Sequence, residues 1–172
     1  MKPVYRGTAV AIVQCLMVLS VAGKYALDRE RLPRVWARAV PFDPSLFVRG
    51  RYVSLRLEVE APAAAALGNG AAVAWTPARI AAVGGRLVAT PDPNGTVHVT
   101  EEAARTAAEP NARRWVLAEP AAFFIPDNVP DPSRRAAGEE LWVEVSVPAK
   151  GNPRPIRLGV KKDGAIAPLE LR

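Results

Sequence analysis

The sequence predicts a mainly β fold, a compact antiparallel sandwich or small barrel, behind one N-terminal transmembrane helix. Three observations predict it. The residues from Gly7 to Gly23 are uncharged and mostly apolar. The chain beyond them contains several short runs in which apolar and polar residues alternate, as they do in half-buried strands. Finally, 17 prolines and 12 glycines limit long helices and favour turns between short strands.

The apolar run has the length of a minimal membrane-spanning helix, because its 17 residues lie at the lower limit for crossing a bilayer. Lys2 and Arg6 form a short basic region ahead of it, which disfavours the alternative of a buried core helix. Two interpretations stay open. One is an uncleaved signal anchor, and the other is a cleavable signal peptide with the small residues Ser20 and Ala22 before the cut.

Two domains are therefore expected. Residues 1–32 form the signal anchor helix with a juxtamembrane continuation, which ends before Pro33 because the residue preceding a proline avoids the helical region. Residues 33–172 form a β-rich domain that is long enough to bury a core, and the family resemblance described below implies that it is extracytoplasmic.

The charges that flank the anchor bear on its orientation. Positive residues near the ends of a span favour the cytoplasmic side. Two precede the apolar run, and five follow it closely: Lys24, Arg29, Arg31, Arg34 and Arg38. Taken alone, this count places the C-terminal part in the cytoplasm.

The clearest strand runs from Arg51 to Glu60, where Val53, Leu55, Leu57 and Val59 alternate with polar residues. Further strands are predicted at 34–40, 71–80 with a break at Pro77, 86–90, 96–100, 114–118, 122–125, 140–147, 156–160 and 165–171. The Asn94-Gly95 pair predicts a hairpin between 86–90 and 96–100, and Lys162-Asp163-Gly164 predicts a second tight turn. The proline-rich stretch 126–138 reads as a loop, with one helical turn around 133–137.

Residues of the usual catalytic and metal-binding types are sparse. The single cysteine, Cys15, lies in the apolar run, and His98 is the single histidine. The sequence therefore predicts no catalytic, cofactor-binding or metal-binding residues. One enzymatic alternative is a membrane-anchored Ser-Lys hydrolase using Lys150, Lys161 or Lys162, although a general-base lysine needs burial to lower its pKa.

The net charge of +6 is unevenly distributed. Residues 24–51 and 148–172 each carry +4, whereas 52–147 carry −4. Basic residues beside the anchor favour contact with the lipid bilayer. Nucleic acid is not an expected partner, because the aromatic residues lie in strand-like runs and are not interleaved with a basic face.

One stretch, residues 41–57, resembles the GDYXXLXY family of membrane-anchored bacterial proteins of unknown function. In that family a basic anchor leads through a Pro-x-Asp-Pro turn into an Arg-Gly-Asp-Tyr-x-x-Leu-x-Tyr strand. The matching positions are Pro41, Asp43, Pro44, Arg49, Gly50, Tyr52 and Leu55. Arg51 stands where the family has Asp, and Leu57 where it has Tyr.

The resemblance extends more loosely to 123–126 and to the Asp-Gly turn within 160–166. It implies a single-pass protein of the bacterial inner membrane whose C-terminal domain is periplasmic, with a multi-spanning membrane protein as a possible partner. The motif residues are expected to be structural, since Gly50 permits conformations closed to other residues while Tyr52 and Leu55 pack.

The function predicted from these observations is that of a non-enzymatic, membrane-anchored domain that binds a membrane or envelope protein and needs no cofactor. Besides the Ser-Lys hydrolase, a second alternative is a carrier that holds a small ligand in the mouth of a barrel.

Overall fold

The computed structural model describes residues 3–42, 52–61, 76–103, 113–126 and 128–171. The chain divides into two units, Met1–Leu32 and Pro33–Arg172. The first consists of one helix, and the second consists of β-strands joined by turns.

Helix α1 spans Pro3–Arg31. Proline is well tolerated in the first turn of a helix because its missing amide would have no partner there. The amide of Leu32 still donates to the carbonyl of Asp28 at 3.0 Å. The helix then stops before Pro33, as the sequence predicts, and basic residues in its last turn interact favourably with the helix dipole.

The part of α1 from Gly7 to Arg31 is long and apolar enough to cross a membrane. Its 25 residues extend about 38 Å at the rise of an α-helix. Its most apolar window contains no buried residue, and large side chains such as Val13, Leu16 and Leu19 are more than half exposed. A helix that is apolar on all sides needs an apolar surrounding. In such a surrounding a polar group needs a hydrogen-bond partner within the chain. The Ser20 hydroxyl has one, because it donates to the carbonyl of Met17 at 2.8 Å.

Ten strands are found among the described residues. They are β1 Arg34–Pro41, β2 Tyr52–Val59, β3 Thr76–Val83, β4 Arg86–Pro91, β5 Val97–Ala103, β6 Arg113–Leu117, β7 Ala121–Phe124, β8 Glu140–Ser146, β9 Arg154–Lys162 and β10 Ala165–Pro168. This confirms the mainly β prediction, and the structure specifies it as one curled antiparallel sheet resembling half a barrel.

The sheet has the order β10-β9-β8-β1-β2-β6-β5-β3-β4, and β7 pairs with the first half of β2. The curl brings β4 back to the end of β2. There the amide of Glu60 donates to the carbonyl of Leu87, and the amide of Ala89 donates to the carbonyl of Glu60, both at 2.8 Å. The short antiparallel strands at one end of the sheet thus form a nearly closed ring.

The concave face of the curl holds the hydrophobic core. On β2 the residues predicted to face inward are buried, and Leu55 and Leu57 are fully shielded from solvent. Val143 and Leu158 are likewise fully buried on β8 and β9. Each large apolar side chain buried in this way contributes roughly 1.5–3 kcal/mol, so the alternation in the sequence supplies the main driving force for the curl.

The predicted hairpin at Asn94-Gly95 is wrong, because β4 and β5 lie on opposite sides of β3. After β4, the amide of Asp92 donates to the carbonyl of Pro77 at 3.1 Å, which holds the turn against β3. A Cβ on Gly95 would lie 2.5 Å from the carbonyl oxygen of Ala78. The glycine therefore permits a close approach to β3, and the chain passes to the other side of that strand.

The tight hairpins lie elsewhere. Gly84 and Gly85, with φ of +58° and +77°, join β3 to β4. The predicted turn at Asp163 and Gly164 is confirmed, with φ of +50° and +85°, and joins β9 to β10. Positive φ at both central residues matches the twist of antiparallel strands.

Two smaller expectations are also wrong. Pro77 does not break the described strand but is the second residue of β3, opposite His98 of β5, and positions 71–75 of the predicted strand lie outside the described residues. The stretch 133–137 contains no helical turn; instead its neighbourhood is organised by isolated turns. One is an Asx turn, in which the amide of Ser133 donates to Oδ1 of Asp131 at 2.9 Å.

Candidate functional site

A cavity of about 300 Å³ lies on the polar side of β1, β2 and β6. The residues 128–139, which we call the turn segment, supply its remaining wall. Among the described residues that line it are four arginines and four glutamates: Arg38, Arg56, Arg114, Arg135, Glu58, Glu102, Glu139 and Glu140. Apolar residues, including Val40, Phe42 and Leu141, complete the lining. The cavity therefore combines balanced charge with an apolar surface.

Strand alternation explains why these charges meet. Because successive side chains point to opposite faces, Arg56 and Glu58 project away from the core that Leu55 and Leu57 occupy. On one side of β2, strand β1 contributes Arg38 to the cavity, and on the other side strand β6 contributes Arg114.

Glu58 is the centre of an ion-pair network. Nη1 of Arg114 donates to both of its carboxylate oxygens, at 2.9 and 3.0 Å. Arg38 approaches the same carboxylate at 3.9 Å and pairs more closely with Glu140, at 3.1 Å. The side chains of Arg38, Glu58 and Arg114 are only 17–20% exposed. The alternating charges are consequently not a solvated face, and breaking such a shielded pair leaves an uncompensated charge.

Arg56 is held from two directions. It forms an ion pair with Glu102 of β5. Its guanidinium carbon also lies 3.7 Å from the centre of the Phe42 ring, a cation–π contact. Both contacts fix the guanidinium at the cavity wall.

The turn segment is anchored by apolar residues and presents polar ones to the cavity. Val129 and Pro132 are buried, whereas Ser133, Arg135 and Glu139 line the cavity. Glu139 pairs with Lys162 of β9 at 3.6 Å. Nε of Arg135 is shielded from solvent and has no hydrogen-bond partner. The segment thus supplies the cavity with a cation that lacks a carboxylate partner among the described residues.

The motif residues do not gather into one site. Asp43, Pro44, Arg49 and Gly50 lie outside the described residues. Of the others, Pro41 lines the cavity, and Leu55 is fully buried in the core on the opposite face of β2.

Tyr52, the remaining described motif residue, pairs with β7. Its ring centre lies 6.2 Å from that of Phe124, with the ring planes inclined at 54°. Phe124 itself is 71% exposed. The expected packing of Tyr52 is therefore against an aromatic residue at the surface. Leu57, at the position where the family has Tyr, belongs to the core.

The lysines of the hydrolase alternative lie at the surface or in contact with other groups. Lys150 is exposed, and Lys162 is 65% exposed. Nζ of Lys161 lies 4.7 Å from the centre of the Trp142 ring. Burial of the kind that a general-base lysine requires is not seen at these positions. The hydrolase stays an alternative prediction, which an assay of peptide and ester cleavage tests.

No group of three or more His, Cys, Asp or Glu residues that could hold a metal ion is found within the described stretches. His98 is exposed on β5. Cys15 is exposed on α1.

One carboxyl group outside the cavity has a shifted pKa. The amide of Asn94 donates to Oδ1 of Asp92 at 3.0 Å, and Nη2 of Arg79 donates to Oδ2 at 2.9 Å. Mainly the first hydrogen bond, and then the second, lowers the pKa of Asp92 below its ordinary value of 3.8. This group holds the turn after β4 and has no evident link to the cavity.

Sequence reasoning missed the cavity residues because it treated Arg56 and Glu58 as the polar face of a half-buried strand. The available signal was the opposite charge at alternate positions of one strand, which suits cross-strand pairing. Their partners come from residues far away in the sequence, so the cavity itself could not be located before the strand order was known.

Comparison of the chain with protein-family models, with curated proteins and with solved structures gives no match. The resemblance to the GDYXXLXY family therefore stays a prediction, and function is argued from the geometry.

Proposed function

We propose that the chain is a single-pass protein of the bacterial inner membrane whose β-domain lies in the periplasm and binds a multi-spanning membrane protein without catalysing a reaction. The observation that carries this proposal is helix α1, whose residues from Gly7 to Gly23 include no charge and whose large apolar side chains are exposed. Such a surface is stable in hydrocarbon and costly in water.

The short connection to the β-domain supports the proposed class of partner. Only Leu32 and Pro33 separate the end of α1 from the start of β1. Two extended residues span at most about 7 Å. A membrane-embedded α1 would therefore keep the domain close to the bilayer, where the available partners are themselves membrane proteins.

The exposed Phe124 offers a point at which to test partner binding. Large exposed apolar residues in the described part of the β-domain are Val83 and Phe124. Phe124 also contacts Tyr52, whereas Val83 lies beside the Gly84-Gly85 turn. Aromatic residues are enriched at interface centres, and isolated exposed aliphatic residues are ordinary. Phe124 is therefore the position at which to test partner binding, and Val83 is its matched control.

The test is purification of the full chain from membranes in a mild detergent. We expect a multi-spanning membrane protein to be recovered with it in comparable amount. Phe124→Ser should reduce that recovery at least tenfold, whereas Val83→Ser should leave it unchanged. Recovery of the chain by itself, from cells that express it at its natural level, would contradict the proposal.

The side of the membrane on which the β-domain lies needs a separate measurement, because the positive charges that flank α1 favour the cytoplasm. A reporter enzyme that is active only outside the cytoplasm, fused after Arg172, should be active. The mass of the purified chain should include residues 1–32 if the anchor is uncleaved. An inactive reporter would place the domain in the cytoplasm and overturn the periplasmic assignment.

A further inference from the structure

One of the four arginines that line the cavity on the polar side of the sheet has no carboxylate partner among the described residues. Arg38 and Arg114 share Glu58, with Glu140 as a second partner of Arg38. Arg56 pairs with Glu102. The remaining carboxylate of the lining belongs to Glu139, which pairs with a lysine outside the lining. Within the described part of the chain, Arg135 is the lining arginine for which no carboxylate remains.

One nitrogen of the Arg135 guanidinium is buried. Its Nε is shielded from solvent, and that N–H has no hydrogen-bond partner. A shielded donor that lacks a partner is unfavourable, and more so when it carries charge. The side chain lies in a wall of the cavity, and its terminal nitrogens, which are not among the shielded atoms, can donate to a group placed there.

The size and lining of the cavity define what that group can be. A volume of about 300 Å³ is at the lower end of the range for small-molecule sites. An arginine fork presents two parallel N–H groups, which suit the paired oxygens of a carboxylate or a phosphate. Val40 and Phe42 provide apolar surface for the body of such a molecule.

We propose that this cavity binds a small organic anion, a carboxylate or a phosphate monoester with an apolar body, whose oxygens accept hydrogen bonds from the two terminal nitrogens of Arg135. The proposal is independent of partner binding at Phe124, since it rests on different residues of the domain. It also differs from a carrier with its ligand in a barrel mouth, because the concave side of the sheet is filled by the core.

The test is isothermal titration of the full chain in mild detergent with benzoate and with phenyl phosphate. Benzyl alcohol, a neutral molecule with the same ring, serves as the ligand control. We expect saturable binding of at least one anion and at least tenfold weaker binding of the alcohol. The anion that binds more tightly identifies the carboxylate or the phosphate as the preferred group.

Arg135→Gln should weaken binding of that anion at least tenfold, and Arg135→Lys at least threefold, because lysine keeps the charge but lacks the fork. Arg134→Gln is the matched control, since Arg134 is the exposed neighbour and does not line the cavity. It should bind as the unmodified chain does. Thermal unfolding of each variant shows that it is folded.

Three results would overturn the proposal. They are failure of both anions to bind the unmodified chain, equal binding of benzyl alcohol, and equal loss of binding in the Arg134 and Arg135 variants. If Arg135→Gln did not fold, the titration of Arg135→Lys would decide alone.

Discussion

At the scale of single residues, neighbouring groups determine whether a charged side chain is solvated or shielded and paired. Arg56 and Glu58 have the pattern of an exposed strand face, yet Glu58 is 17% exposed and has two arginine partners. The alternation in β2 correctly predicted which residues form the core. It could not predict the covering of the other face, because the turn segment that covers it lies far away in the sequence.

Asp92 gives a prediction that depends on pH. Its pKa is lowered in the folded chain, so its carboxylate stabilises the fold above the pKa of the unfolded chain. That contribution is lost as the pH falls from about 5 through the lowered pKa. Asp92→Asn should therefore lower the free energy of unfolding at neutral pH, and the difference from the unmodified chain should shrink in acid.

Denaturant unfolding at a series of pH values measures this difference. Glu170→Gln is a suitable control, because Glu170 is exposed and has no hydrogen-bond partner among the described residues. A difference for Asp92→Asn that is the same in acid and at neutral pH would show that the carboxylate does not stabilise the turn.

At the scale of elements, local sequence predicted strands better than it predicted their pairing. The run 140–147 alternates and forms β8, but its pairing with β9 shifts register between Glu144 and Val145. The Asn94-Gly95 pair has the residue types of a hairpin turn. In the structure, however, Gly95 lies against the backbone of Ala78 in β3 and leads the chain to the other side of that strand. Pairing depends on contacts between distant residues, which a local pattern does not contain.

Packing between β1 and β9 gives a prediction at this scale. The ring of Trp36 lies over Gly159, where an added Cβ would come within 2.7 Å of Cζ3 of the indole. Gly159→Ala should therefore cost about 1–3 kcal/mol in the free energy of unfolding, as overpacking usually does.

A double-mutant cycle checks the physical cause. Trp36→Leu leaves room for the new methyl group, so Gly159→Ala should cost less in that background than in the unmodified chain. Equal costs in the two backgrounds would place the effect in the backbone and not in the contact with the indole.

At the scale of the whole molecule, the most predictable feature was the division into an apolar helix and a β-rich remainder. The local order of residues predicts both, because a long uncharged apolar run favours a membrane helix and apolar–polar alternation favours strands. The strand order and the cavity required long-range contacts. Orientation in the membrane was not predictable in the same way, because the flanking charges and the family resemblance favour opposite sides.

Insertion of α1 can be tested with a charge. Leu16→Arg places a guanidinium near the middle of the apolar run, at a cost of about 2.5–3.5 kcal/mol for insertion. Extraction of membranes with alkaline carbonate should then release the variant but not the unmodified chain. Leu27→Arg is the control, since a long cationic side chain near a helix end can reach the interface. Carbonate-resistant Leu16→Arg would argue against a membrane-spanning α1.

The pairing of β1 with β8 has a consequence for the timing of synthesis. Arg34 pairs with Ser146, 112 positions later in the chain. At about 5–20 residues per second, the ribosome needs roughly 6–22 s to supply the second partner after the first. During that interval one side of β1 has no neighbour, although its other partner, β2, follows early. During synthesis the edge of β1 that later pairs with β8 is therefore open to pairing with other strands until β8 emerges.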